Sequence, residues 1–174
     1  MLHTPGMRPD DELMADPGGF DELVRRHQGA VAGYFRNVLL DAHRAEDLAQ
    51  ETFLKIFRER LSYRPEGRFR QWLFRIAHNL AMDEFSRRKV RAERPLEEAP
   101  DERPRAPEIV ARDEELRRVF EAMGELPPVY REALSLAWFQ ELSYAEIASL
   151  TGTTPGNVAV RVHTALQKLK AKFS

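Results

Sequence analysis

The chain has no cysteine in its 174 residues. That excludes disulfides, a thiol nucleophile and any zinc or iron–sulfur centre held by Cys, and it fits a reducing compartment. No run of 18 apolar residues is present to cross a bilayer, and residues 1–19 lack the basic flank and apolar stretch of a secretory signal. A cytoplasmic protein is the expectation. Strand-like alternation of useful length is missing too, as is any internal repeat, and nothing suggests a cofactor or a small-molecule substrate. With 43% hydrophobic residues, enough for compact cores, the expected fold class is all-α. Net charge is also scarce: 27 Lys and Arg stand against 28 Asp and Glu, where a stand-alone DNA-binding protein would be strongly basic. Where the charge lies therefore says more than its sum.

Basic residues gather in two places. One is the C-terminal stretch LSYAEIASLTGTTPGNVAVRVHTALQKLK, residues 142–170. Ser143 and Glu146 have capping-box spacing, with Leu142 and Ile147 placed as a hydrophobic staple. A helix starting near Tyr144 would present small Ala145, Ala148 and Ser149 and stop at Thr151-Gly152, where glycine accepts the positive φ of a C-cap. Thr153 or Thr154 then offers the next N-cap, Pro155 suits the first helical position, and Val158, Val162, Ala165, Leu166 and Leu169 recur at helical spacing. The other face carries Asn157, Ala159, Arg161, Thr164, Lys168 and Lys170, with no acidic residue between Pro155 and Ser174. This is the pattern of a helix-turn-helix open to a phosphate backbone, although an ordinary hairpin with a solvated basic face has the same spacing.

The other basic region is residues 64–91, with Arg64, Arg68, Arg70, Arg75, Arg87, Arg88, Lys89 and Arg91 against Glu66, Asp83 and Glu84. Between the two regions, residues 91–107 hold Pro95, Pro100, Pro104 and Pro107 among mixed charges, which reads as an extended linker. The expected organisation is two small helical domains: a flexible segment 1–19, a domain 20–90, the linker 91–107 and a domain 108–174. In the first domain, Phe20, Leu23, Val24, His27, Val31, Phe35, Val38 and Leu39 mark one amphipathic helix, weakened by Gly29 and Gly33, with His27 read as packing. Ala45, Leu48, Ala49, Phe53, Ile56 and Phe57 mark a second, and Phe69, Trp72, Leu73, Ile76, Ala77, Leu80, Ala81 and Phe85 a third, after a break at SYRPEG. After the linker, Ile109, Leu116, Val119, Phe120 and Met123 build one helix, and Leu126-Pro127-Pro128 ends it and starts the next.

Two constellations could carry chemistry. Asp47, Gln50 and Glu51 share one helix face, which suits a solvated surface, a protein-binding face or, less well for want of further ligands, a divalent metal. The segment RFRQWLFRIAHNLAMDEFSRRK interleaves aromatics with Arg, as a surface for unpaired bases would. Phe69, Trp72 and Phe85 fall on the apolar stripe and are better read as core, whereas Tyr63, Arg64, Arg68 and Arg70 lie in the loop, well placed to hold an extruded base.

In order and spacing these segments resemble bacterial sigma factors of the group IV, extracytoplasmic-function (ECF) type. Residues 20–90 resemble the sigma-2 domain and residues 108–173 the sigma-4 domain: AEDLAQETFLKIF is similar to region 2.2, RFRQWLFRIAHNLAMDEFSRRK to regions 2.3 and 2.4, and the C-terminal hairpin to region 4.2. The resemblance implies a promoter-specificity subunit with no catalytic centre. It implies that Asp47, Gln50, Glu51 and Leu54 dock on the β′ clamp helices of core RNA polymerase, with the β flap as a further contact. It implies that the loop 62–70, with Tyr63, Arg64, Arg68 and Arg70, captures a flipped base of the minus-10 element, while Arg75, His78, Asn79, Arg87 and Arg88 lie along melted DNA. Thr154, Asn157, Ala159, Val160, Arg161, His163, Thr164 and Lys168 would face the minus-35 element, and an anti-sigma factor would cover the same surfaces. Many relatives carry a basic residue then Ser where this chain has Ala159 and Val160, and often Arg at Thr164, so an unusual minus-35 preference is expected, with methyl contacts to thymine. The rivals are a free-standing helix-turn-helix regulator, which needs no polymerase, and a metal-dependent nuclease built on Asp47 and Glu51.

Overall fold

The structure, a computed structural model, describes residues 7–93 and 114–174. The expected linker lies outside the described residues except for residues 91–93, which continue a helix, and so do residues 108–113 of the second domain. Within them every regular element is helical, and the order is α1 (Asp10–Ala15), α2 (Phe20–Leu39), α3 (Ala42–Glu59), α4 (Phe69–Glu93), α5 (Glu114–Gly124), α6 (Pro128–Leu134), α7 (Tyr144–Thr151) and α8 (Pro155–Lys172). A π-helical turn, Ser135–Phe139, extends α6.

The first domain forms because three amphipathic helices share one core. Leu23, Val31, Phe35 and Val38 of α2 meet Leu48, Phe53 and Ile56 of α3 and Leu73, Ile76 and Leu80 of α4, all buried. Asp41 caps α3 by accepting from Arg44 N at 2.9 Å. The Phe69, Trp72 and Phe85 reading needs one refinement: Phe69 is buried, while Trp72 and Phe85 are only partly so. Phe57, expected inward, is 45% exposed and packs edge-on against Phe20 with ring centroids 5.2 Å apart.

The expectation of a flexible segment before residue 20 is corrected for residues 10–19. Pro9 precedes α1, whose first turn carries Asp10, Asp11 and Glu12, favourable at the positive end of a helix. Leu13 is fully buried. Asp10 accepts from Arg26 at 2.7 Å and lies 2.9 Å from Nε2 of the buried His27. Where α1 turns into α2, a Cβ on Gly19 would fall 2.5 Å from the Leu13 carbonyl oxygen, so only glycine fits.

In the second domain the C-terminal hairpin folds as its residues dictate. Ser143 Oγ accepts from Glu146 N at 3.2 Å, and Glu146 Oε2 accepts in turn from Ser143 N at 2.8 Å. Gly152 ends α7 at φ 70°, and Thr154, rather than Thr153, caps α8 through Asn157 N.

The two domains pack on each other, α6 against α2 and α7 against α4. Glu132 of α6, itself buried, accepts from Tyr34 Oη of α2 at 2.6 Å and lies 2.6 Å from His78 Nδ1 of α4. Its neighbour Arg131, also buried, donates to Val38 O at 2.7 Å and Leu126 O at 2.7 Å. Val38 sits in the last turn of α2, before the left-handed cap at Leu40, where carbonyls lack helical partners and the helix dipole favours a cation. Burial, then repulsion from Arg88, pulls the Arg131 guanidinium down to about 10, so it stays charged at neutral pH.

Candidate nucleic-acid and partner interfaces

The α3 face is built from the residues that the core does not use. Asp47, Gln50 and Leu54 are exposed, Leu54 by 54%, while Glu51 is half-buried. Beside them an apolar groove of about 710 Å³ runs between α2 and α3, lined by Phe20, Val24, Ala32, Phe53, Leu54 and Phe57. An exposed aliphatic edge over an apolar groove with carboxylates at its rim suits a partner helix. Asp47 is 3.9 Å from Arg44, and among the described residues no third His, Asp or Glu joins Asp47 and Glu51 to make a ligand set.

The loop between α3 and α4 frames a second, polar cleft of about 300 Å³ whose lining includes Tyr63, Arg64, Arg68, Trp72 and Arg75. Tyr63 lies 4.8 Å from Trp72 between ring centroids and 5.9 Å edge-on from Phe69. Burial, then the hydrogen bond to Asp11, pushes the Tyr63 hydroxyl well above its ordinary value, so it stays a donor. Arg64 and Arg68 are exposed. Cations around a partly open aromatic surface are what an unpaired base and its phosphates require.

The remaining residues read along the melted strand divide. Asn79 and Arg87 face solvent. Arg70 donates to Gln140 O at 2.8 Å, Arg75 to Ser149 Oγ at 3.3 Å, and His78 meets Glu132, so these three touch the second domain. Arg88 is tied within its own domain. Its guanidinium reaches Leu39 O at 3.1 Å, Glu84 at 3.1 Å and Asp41 at 3.5 Å, and so joins α4 with the α2–α3 corner. Sequence spacing puts Arg88 among the other cations of α4 and does not reveal those acceptors.

On the helix-turn-helix, Thr154, Asn157, Val160, His163 and Lys168 are exposed, and Ala159, Arg161 and Thr164 are half-buried beside them. Val160 stands 63% exposed on this face, an apolar group among polar and basic neighbours. Three residues outside the expected set matter as well. Glu132 and Arg131 hold the domains together, and Asp11 touches the loop between α3 and α4 through Tyr63 and Gly67 N. A Pro followed by acidic residues and Leu13-Met14 is a helix-start signal that could have pointed to Asp11.

Two helical domains, one with a partner groove and a cationic loop, the other with a helix-turn-helix, define the sigma class of protein. The family model for sigma-70 region 2 matches residues 23–91, and that for sigma-70 region 4 matches residues 116–169. The chain is 38% identical over 156 residues to the ECF RNA polymerase sigma factor SigE of Mycolicibacterium smegmatis, covering 87% of this chain but about 60% of that relative's length. It is 36% identical over 153 residues to the RNA polymerase sigma factor CarQ of Myxococcus xanthus, covering 87% of each. Among solved structures, CnrH in complex with the cytosolic domain of CnrY superposes with a TM-score of 0.69 at 28% identity, over 94% of this chain and 96% of CnrH. The chain belongs to the sigma-70 family, in its group IV, extracytoplasmic-function branch.

Proposed function

We propose that the chain binds core RNA polymerase, reads the minus-10 and minus-35 elements of its promoters and helps to melt the DNA, without a catalytic centre. The observation that carries this reading is the ordered pair of region 2 and region 4 matches, each falling on a domain with an exposed surface of the right chemistry. Asp47, Gln50, Glu51 and Leu54 with the adjoining groove take the polymerase β′ clamp helices, and the β flap takes the second domain. Tyr63, Arg64 and Arg68 form the cleft for the flipped minus-10 base, with Arg70, Arg75, His78, Asn79 and Arg87 following the single strand. Thr154, Asn157, Ala159, Val160, Arg161, His163, Thr164 and Lys168 read the minus-35 duplex. Near-zero net charge supports DNA binding mainly in the company of polymerase.

An anti-sigma factor regulates the chain by covering these same surfaces. CnrH, the likeness at 28% identity, was solved with the cytosolic domain of CnrY. No helix among the described residues is long and apolar enough to cross a membrane, in keeping with work in the cytoplasm.

Reconstitution with core polymerase on a promoter library tests the reading. Transcription should start at a subset of promoters sharing two elements, and replacing Leu54 by Asp should abolish holoenzyme assembly. Failure to initiate anywhere would sink the proposal. Tight, sequence-specific duplex binding without polymerase would instead favour the free-standing regulator.

A further inference from the structure

The cleft-forming loop is tied down from outside the matched domain. Asp11 of α1 uses both carboxylate oxygens on it: Oδ1 accepts from Tyr63 Oη at 2.5 Å, and Oδ2 from the backbone N–H of Gly67 at 2.7 Å. These two attachments bracket Arg64 and Glu66, both lining the cleft. Gly67 holds φ 71°, a left-handed turn that aims its N–H back at the carboxylate.

The tie is only as rigid as the element that carries it. α1 is fixed at three points: Leu13 buried in the core, Asp10 on Arg26 and His27, and the close pass of Gly19 under the Leu13 carbonyl. It lies before residue 23, where the region 2 match begins. We propose that Asp11 is a positioning residue for the base-reading loop, so that the N-terminal helix, through Tyr63 and Gly67, sets how sharply the extruded minus-10 base is discriminated. The inference rests on the proposed role of that loop.

The physical reason is entropic and geometric. A nine-residue loop fixed only by its ends samples many conformations, and ordering it when the base arrives weakens binding of every base alike. A loop already held in one shape distinguishes bases, because the wrong one must either distort the tie or leave a polar edge unpaired. Asp11 touches no DNA in this scheme. It acts through the angle of the Tyr63 ring, which its hydroxyl bond fixes against Trp72.

The test uses the full chain in holoenzyme on a promoter library with all four bases at each minus-10 position. Asp11→Ala should reduce the ratio between best and worst base at one position by about tenfold, the scale of one weakened base contact. Preferences at the other minus-10 positions, the minus-35 preference and the affinity for core polymerase should stay as they were. Tyr63→Phe, which removes only the hydroxyl, should produce part of the same loss. Asp11→Asn, which keeps one acceptor oxygen, should fall between wild type and Asp11→Ala.

A uniform drop in transcription across all bases, or an unchanged preference in both Asp11→Ala and Tyr63→Phe, overturns the inference. Arg64→Ala separates its failure from that of the reading beneath it. If Arg64→Ala alters the minus-10 preference and the Asp11 variants do not, the tie is wrong and the base-reading loop stands. If Arg64→Ala also leaves the preference intact, the loop does not read a base and the inference falls with it.

Discussion

Two residues show how much one position can decide. Gly19 has no room for a side chain, since a Cβ would sit 2.5 Å from Leu13 O and 2.8 Å from its Cα. Gly19→Ala should therefore push α1 off the core and destabilise the chain by about 1–3 kcal/mol, read as a lower midpoint in thermal unfolding. An unchanged midpoint would mean that α1 contributes nothing to the fold. Asp10 makes a pH prediction. Burial alone would raise its carboxyl, but the His27 contact and then the Arg26 guanidinium outweigh it and hold the group below the usual carboxylate range. A depressed carboxyl contributes stability that is complete above its unfolded value, near 4, and is lost as pH falls through the folded one. The difference in thermal midpoint between wild type and Asp10→Asn should be constant above about pH 5 and shrink as pH falls below about 4. Neither residue stands out in the sequence: Gly19 sits in a Pro-Gly-Gly run that reads as an ordinary turn, and Asp10 in an acidic tail.

At the scale of elements, the helix-turn-helix was legible almost residue by residue, because caps are local. Ser143, Glu146, Gly152 and Thr154 each satisfy backbone groups within four residues of themselves, and Pro155 removes an N–H that the first turn would leave unpaired, so spacing alone places them. The three long helices were legible from their apolar periodicity. α1 was not, because six residues give periodicity nothing to work on and its buried face is only Leu13 and Met14. Phe57 was misplaced for a related reason: its spacing matches the core stripe, but it stands at the margin of the groove, where the stripe opens to solvent. The glycines in α2 supply a prediction of their own. A Cβ at Gly33 would meet nothing within 4 Å, so Gly33→Ala should stabilise the helix by about 0.5–1 kcal/mol by removing backbone freedom from the unfolded chain. A fall in the thermal midpoint would show that the added methyl is not accommodated on that face of α2.

For the whole molecule, the packing of the two domains could not be read from sequence. Tyr34 lies at helical spacing that serves an intradomain core as well as an interface, and Arg131 and Glu132 look like surface charges until their partners on α2 and α4 are seen. Glu132 is the hinge of that contact. Glu132→Ala strands the Tyr34 hydroxyl in a fully buried site and removes the partner of His78, a loss of about 1–3 kcal/mol. Small-angle scattering should then show the radius of gyration rising from about 16 Å, the value for a compact chain of 174 residues. A superimposable scattering curve would place the closing energy elsewhere, in Arg131 or in the apolar contacts.

Closure does not hide the two faces of the first domain equally. His78 and Arg70 lie against the second domain, whereas Asp47, Gln50 and Leu54, on the far side of α3, remain in water. On the proposed reading, a closed chain can meet polymerase but cannot yet hold a melted strand. The fold then fixes an itinerary: enzyme first, separation of the halves next, promoter last, so that the chain arrives at DNA already accompanied.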